Sequence, residues 1–255
     1  MSQECEVGSR AEVVLIDPPC LVAERDCDVD IHFSREVHVR KMALTRDGTL
    51  MANAPSAPQM TKTIRVSVPA IESCCVCVDV DLGRGDESRP TLCMLVLPKA
   101  AAEEICDLFS HMMADIYASR AGASCVDALQ NPMDAPATAD GPLPPESLDD
   151  QELKEAAWTT YFRQFSADFA QILKDLDSGA PGGHTGSVPM AMYLLKRRSW
   201  STASFLLNRC LASGVRVTWG PFVLSESDLG PEQLERDFSS HVQLVEANGQ
   251  DSPMD

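Results

Sequence analysis

The stretch TLCMLVLPKAAAEEICDLFSHMMADIYASR, residues 91–120, changes its hydrophobic period at Pro98. Before this proline the chain has a short apolar run, which is typical of a buried strand. After it, apolar residues recur three and four positions apart, as on one face of an amphipathic helix: Ile105, Leu108, Phe109, Met112, Met113 and Ile116. A helix joined directly to a strand constrains the fold, because its apolar face needs a surface to cover.

The residues before this unit are predicted to form strands. Several segments alternate apolar and polar residues, the period that places one side of a strand in a core and the other in water. The alternating segments are CDVDIHF (27–33), EVHVRKMAL (36–44), KTIRVSV (62–68) and SCCVCVDV (73–80), and AEVVLI (11–16) is a short apolar run stopped by Pro18 and Pro19. Asp47-Gly48 is a hairpin turn signal. We predict an α+β fold in which an antiparallel barrel or sandwich of about seven strands is capped by the helix.

This order of strands and one helix resembles the pleckstrin-homology-like (PH-like) superfold. DGTL (47–50) followed by IRVSVPAIESCCVCV (64–78) is similar to a strand run of GRAM and GLUE domains, and LVLPKAAAEEICDLF (95–109) to the last-strand-to-helix step of the superfold. AWTTYFRQF (157–165) resembles the aromatic core of BSD domains, which accompany a PH-like domain in one subunit of the transcription and repair factor TFIIH. The resemblance implies a PH-like domain over residues 1–120. Many PH-like helices carry a core tryptophan, whereas the first 120 residues hold none.

The rest of the chain divides into three regions. Residues 121–146 hold five prolines without periodicity, which indicates a flexible linker. Residues 147–245 are predicted to be mainly helical, with a short β-ribbon in VRVTWGPFVL, and residues 246–255 to be a disordered tail. The clearest helix spans 147–179, with a cap pattern at Ser147 and Gly179 as its stop. The glycines of SGAPGGHTG are predicted to form a hinge.

This long helix carries an aromatic stripe. Its aromatic members are Trp158, Tyr161, Phe162, Phe165 and Phe169. Such stripes are common in cores, so the surface that covers this one is either the C-terminal segment, the barrel or another protein. We predict these five residues as partner-binding.

The net charge of −17 opposes binding to phosphate backbones and anionic lipids unless a local basic patch exists. The candidate anion-binding residues are Arg40, Lys41, Arg46, Lys196, Arg197 and Arg198. The last three, with Arg209 and Arg216, would supply the phosphate contacts of a winged-helix-like region.

No catalytic or metal motif is found. The 10 cysteines lack the paired C-x-x-C spacing of zinc sites, and Cys74, Cys75 and Cys77 are predicted to be small buried residues of a strand. P-loop, nucleophile-elbow, zincin and dinucleotide motifs are absent. We therefore expect no enzyme, no cofactor and no metal, although a Cys-His pair assembled from distant positions stays open.

These observations favour a non-enzymatic adaptor or subunit of a hetero-complex that binds protein partners. The two alternatives are a phosphoinositide-binding peripheral membrane protein and a nucleic-acid-associated factor. We expect a cytoplasmic or nuclear location, because the longest apolar run is Leu92 to Leu97 and the first residues do not resemble a secretory signal.

Overall fold

A computed structural model describes residues 11–46, 49–54, 60–82, 91–120, 149–179, 182–214, 218–219, 222–223 and 229–238. Eight strands come first: β1 (Val13–Asp17), β2 (Cys20–Val22), β3 (Cys27–Val37), β4 (Lys41–Arg46), β5 (Thr49–Ala54), β6 (Thr61–Val68), β7 (Cys74–Asp81) and β8 (Thr91–Leu97). They form two sheets, one in the order β1-β3-β6 and the other in the order β2-β8-β7-β4-β5. All these pairs are antiparallel except β2 with β8.

The helices follow β8. They are α1 (Lys99–Arg120), α2 (Asp150–Ala157), α3 (Arg163–Ser178), α4 (Gly182–Lys196), α5 (Trp200–Ala212) and α6 (231–238), with a two-strand ribbon of β9 (Thr218–Trp219) and β10 (Phe222–Val223) between the last two helices. A π-helical turn, Trp158–Phe162, joins α2 to α3 without a break. The change of period at Pro98 is confirmed, because β8 ends at Leu97 and α1 begins at Lys99.

The α+β class is confirmed, and the buried sides of both sheets share one hydrophobic core with the helices. The strand order is not a simple meander, and a PH-like barrel capped by a helix is not established by it. Among the described residues, no helix combines the length and apolar composition that a membrane span needs.

Several boundaries differ from the prediction. The strand predicted at 36–44 is two strands, because β3 runs on to Val37 and β4 starts at Lys41, and the short strand β2 was missed. The cap of α2 is Asp149, whose side chain accepts a hydrogen bond from the Gln151 N–H, and the predicted cap Ser147 lies outside the described residues. The predicted glycine hinge is helical from Gly182 onward. Gly179 ends α3 as predicted, with φ of 68° in the left-handed region that glycine tolerates. The Asp47-Gly48 turn, the 121–146 linker and the 246–255 tail lie outside the described residues.

The C-terminal helices pack directly on the N-terminal strands and α1. The Glu104 carboxylate of α1 accepts hydrogen bonds from the backbone N–H groups of Ser201 and Thr202, both at 2.8 Å, and from the Thr202 hydroxyl at 2.9 Å. It thereby caps the N-terminus of α5, where free N–H groups and the helix dipole favour a negative charge. On the other side, Lys154 of α2 pairs with Asp17 of β1 at 3.1 Å.

We expect Glu104→Ala to lower the free energy of unfolding by about 1–3 kcal/mol, because two partly buried helix N–H groups lose a charged acceptor. Glu103→Ala is the matched control, because Glu103 is exposed and pairs with Lys99 of its own helix at 3.8 Å. Its effect should stay within about 0.5 kcal/mol. Urea denaturation of both variants measures the difference, and equal losses would contradict the capping role.

Candidate functional site

The aromatic stripe lies inside the protein. Trp158, Phe162 and Phe169 are at most 1% exposed, and Phe165 is also buried. Phe109 of α1 contacts both Trp158 and Phe162 edge-on, with ring centroids 6.5 and 5.2 Å apart, and Phe165 contacts Tyr193 of α4 at 5.9 Å. The chain's own α1 and α4 therefore help to cover the stripe, and the segment that carries it also packs against the strands β1, β7 and β8.

Only Tyr161 of the five predicted partner-binding residues is exposed, at 47%. Helical geometry accounts for the difference between these neighbours, because Trp158 and Phe162 are four residues apart and share the inward face, whereas Tyr161 points outward. The Arg163 N–H donates to the Trp158 carbonyl, which closes the π-helical turn. Four of the five residues thus contribute to stability, and a partner that binds the intact fold cannot reach them.

The predicted anion-binding residues form separate groups. Arg40 and Lys41 are exposed at the start of β4, whereas Arg46 ends the same strand, about 16 Å further along at the usual rise of a strand. Lys196, Arg197 and Arg198 are all exposed where α4 ends. Arg197 lies over the Tyr193 ring at 5.7 Å. Cations at a helix C-terminus are favoured by the helix dipole, which accounts for this group without a ligand.

The geometry of α5 does not suit a recognition helix. From Trp200 to Leu211 none of its side chains is exposed, because α1, α3, α4 and α6 surround it. Its single basic residue, Arg209, lies 3.4 Å from Asp177. The fifth predicted phosphate contact, Arg216, lies outside the described residues. A helix covered in this way has no free face to place in a groove of nucleic acid.

An open sheet edge is more accessible than the aromatic stripe or α5. Within the described chain, β5 pairs only with β4 and β6 pairs only with β3, and the two edge strands approach each other without ladder pairing. Leu50 on β5 is 52% exposed and Met60, just before β6, is 57% exposed. We call this surface the β5–β6 edge. Unpaired backbone groups beside exposed apolar side chains are what an added strand needs.

The structure brings together three cysteines, Cys75, Cys77 and Cys93, that were not predicted from the sequence to form a group. Cys75 and Cys77 lie two apart on β7 and so share a face, and the strand register places Cys93 of β8 directly opposite Cys77. Their three Sγ atoms all lie within 4.8 Å of one another. The sequence carries the i, i+2 signal, but the third thiol follows only from the register of β7 with β8. Cys74, by contrast, is buried on the other face, as predicted.

Hydrogen bonds within this group shift the pKa values of its thiols in opposite directions. The pKa of Cys77 is lowered, chiefly because its thiolate accepts hydrogen bonds from the Cys75 and Cys93 thiols, and the nearby Lys174 ammonium adds to the effect. The pKa of Cys75 is raised, chiefly by its hydrogen bond with Cys77. The trio therefore favours one thiolate held by two thiols.

No protein-family model matches the chain, and no curated protein sequence matches it.

The burial of the stripe is tested by a pair of neighbours. We expect Phe162→Ala to destabilise the protein by about 3–5 kcal/mol, because it leaves a cavity between α1 and the π-helical turn. Tyr161→Ala, one residue earlier, should change stability by about 0.5 kcal/mol or less. Thermal or urea denaturation of the full chain compares them. A large loss for Tyr161→Ala and a small one for Phe162→Ala would show that the stripe faces the other way.

Proposed function

We propose that this chain is a non-enzymatic subunit or adaptor that binds an extended segment of a partner protein at the β5–β6 edge. The observation that carries the proposal is that, among the described residues, β5 and β6 each have an unpaired edge, where two apolar side chains, Leu50 and Met60, are exposed. Backbone pairing would supply affinity to such a segment, and the exposed side chains would select its residues.

The charges near this edge favour a particular partner. In the register of β3 with β6, Val37 pairs with Thr61, so Met60 and Lys62 lie beside the end of β3. Arg40 and Lys41 come within four residues of Val37, the last residue of β3. The side chains of Lys62, Arg40 and Lys41 are all exposed. The chain is acidic as a whole, and these three exposed cations lie near one end of this edge, together with the exposed Glu36 and with Asp81, which is opposite Lys41. The partner segment is accordingly apolar with acidic residues around it, because complementary charges speed and orient association.

The PH-like assignment is part of the same proposal. It is supported by the order of eight strands followed at once by α1, and by the packing of α1 against β2 and β8. PH-like folds bind varied ligands, so the ligand of this chain has to be inferred from its surface and not from its fold. A cytoplasmic or nuclear location accompanies this role. The phosphoinositide alternative has less support, because Arg40 and Lys41 lie at the opposite end of β4 from Arg46.

Affinity capture from native cells, with quantitative mass spectrometry, tests the proposal. We expect the tagged full-length chain to recover a stoichiometric partner, and Leu50→Ser combined with Met60→Ser to reduce that recovery about tenfold or more, as loss of an interface hot spot does. Tyr117→Ser is the matched control, since Tyr117 is likewise exposed, at 44%, but lies on α1.

The outcomes separate the two parts of the proposal. A solitary wild-type protein would overturn the subunit role. A partner retained equally by all three proteins would leave that role intact and exclude the β5–β6 edge. The melting temperatures of the variants must match that of the wild type, which all three substitutions should allow because they replace exposed side chains.

A further inference from the structure

The three thiols of Cys75, Cys77 and Cys93 lie on the outer face of the five-stranded sheet. Alternation along β7 places Val76 and Val78 inward, where both are fully buried, and the two cysteines outward, where both are half-buried. Cys93 is half-buried as well. Cysteines that merely fill a core are normally buried completely, so this group differs from the ordinary structural role of the residue.

Helix α3 borders the group on this face. The Ser166 hydroxyl donates a hydrogen bond to the Cys93 carbonyl at 3.1 Å, which joins α3 to β8 at the level of the cysteine. Two turns later, the exposed Lys174 ammonium lies close enough to act electrostatically on Cys77 and Cys93. The trio therefore has rigid strands beneath it, a helix beside it, and a solvent side through which an ion can enter.

The distances suit a single metal ion. Metal–sulfur bonds of about 2.3 Å place the three sulfurs of a trigonal site about 4 Å apart. The observed sulfurs lie within 4.8 Å of one another. Small rotations of the cysteine side chains, which move each sulfur by about one ångström or less, are therefore enough to close the site. Their backbones need no rearrangement, because the three Cα positions are fixed by the register of two paired strands.

The number and kind of ligands indicate which metal. Thiolates are soft ligands and select Cu(I), zinc or iron–sulfur clusters among biological metals. Structural zinc almost always takes four protein ligands, whereas the described part of the chain brings only these three groups together. Cu(I) is satisfied by three thiolates. Three thiolates and one Cu(I) leave a charge of −2, which the Lys174 ammonium partly offsets.

We propose that Cys75, Cys77 and Cys93 form a trigonal three-thiolate site for one Cu(I) ion. Binding joins β7 to β8 through the metal and displaces thiol protons to solvent, with no change in the oxidation state of copper or sulfur. The site is independent of the β5–β6 edge, since its ligands lie on β7 and β8. The proposal departs from the expectation, drawn from cysteine spacing, that the chain binds no metal.

The test is anaerobic titration of the reduced full-length protein with Cu(I), in the presence of bicinchoninate as a chromogenic competitor. We expect one equivalent per chain to be withheld from the competitor, and Cys77→Ser to weaken that retention by at least a hundredfold. Cys106→Ser is the matched control, because Cys106 is also half-buried but lies on α1. It should retain wild-type affinity.

Two further measurements keep the result decisive if a variant folds poorly. Bound Cu(I) should protect Cys75, Cys77 and Cys93 of the wild type from iodoacetamide, while Cys27 and Cys106 still react. X-ray absorption should show a shell of three sulfurs. Retention that persists in Cys77→Ser, equal loss in Cys106→Ser, or protection of other cysteines would overturn the proposal. Preference for Zn(II) over Cu(I) in an equimolar mixture would overturn the copper assignment.

Discussion

Strand β8 is buried on both faces, and much of the architecture follows from that. Leu92, Met94 and Val96 point to one side and Leu95 and Leu97 to the other, and all five are at most 5% exposed. A strand covered on one side only would alternate with polar residues, as β7 does. Two layers must therefore enclose β8: the interior between the sheets, and the helices α1 and α3 on the outside. Removal of the C-terminal helices would expose an apolar face that the first 120 residues cannot cover alone.

The burial of β8 on both faces is visible in the sequence, because it is reflected in the residues of the strand itself. The uninterrupted apolar run LCMLVL differs from the alternating SCCVCVDV, and two-sided burial is the physical reason for that difference. The hydrophobic period located most strands, the start of α1 and the inward faces of the helices, and the glycine at position 179 marked the end of α3. The non-local contacts could not be obtained in this way. Glu104 lies in an ordinary helical pattern, and nothing near it in sequence indicates that it caps α5 almost a hundred residues later.

The same limit applies to the functional surfaces. An aromatic stripe shows that a helix face is apolar, but not which surface covers it, and here Phe109 and Tyr193 do so from elsewhere in the chain. Two cysteines at i and i+2 share a face by strand geometry, yet the third joins them only through the register of β7 with β8, and a slip by one residue would turn it to the opposite side. The unpaired edges of β5 and β6 likewise depend on which strands become neighbours.

Coverage by α3 also explains why the cysteine trio is accessible. The helix packs over β8 and reaches only part of β7, so the outer face of β7 is neither core nor open surface. Along that face stand Cys75, Cys77, Asp79 and Asp81, all half-buried. Carboxylates there keep one side in water, and Asp79 accepts a hydrogen bond from the Thr45 hydroxyl of β4. Thiols in the same setting are held close together by the strands while solvent can still reach them. A metal bound across β7 and β8 would stabilise the folded chain through its preference for the assembled site, because the unfolded chain does not hold the three sulfurs together.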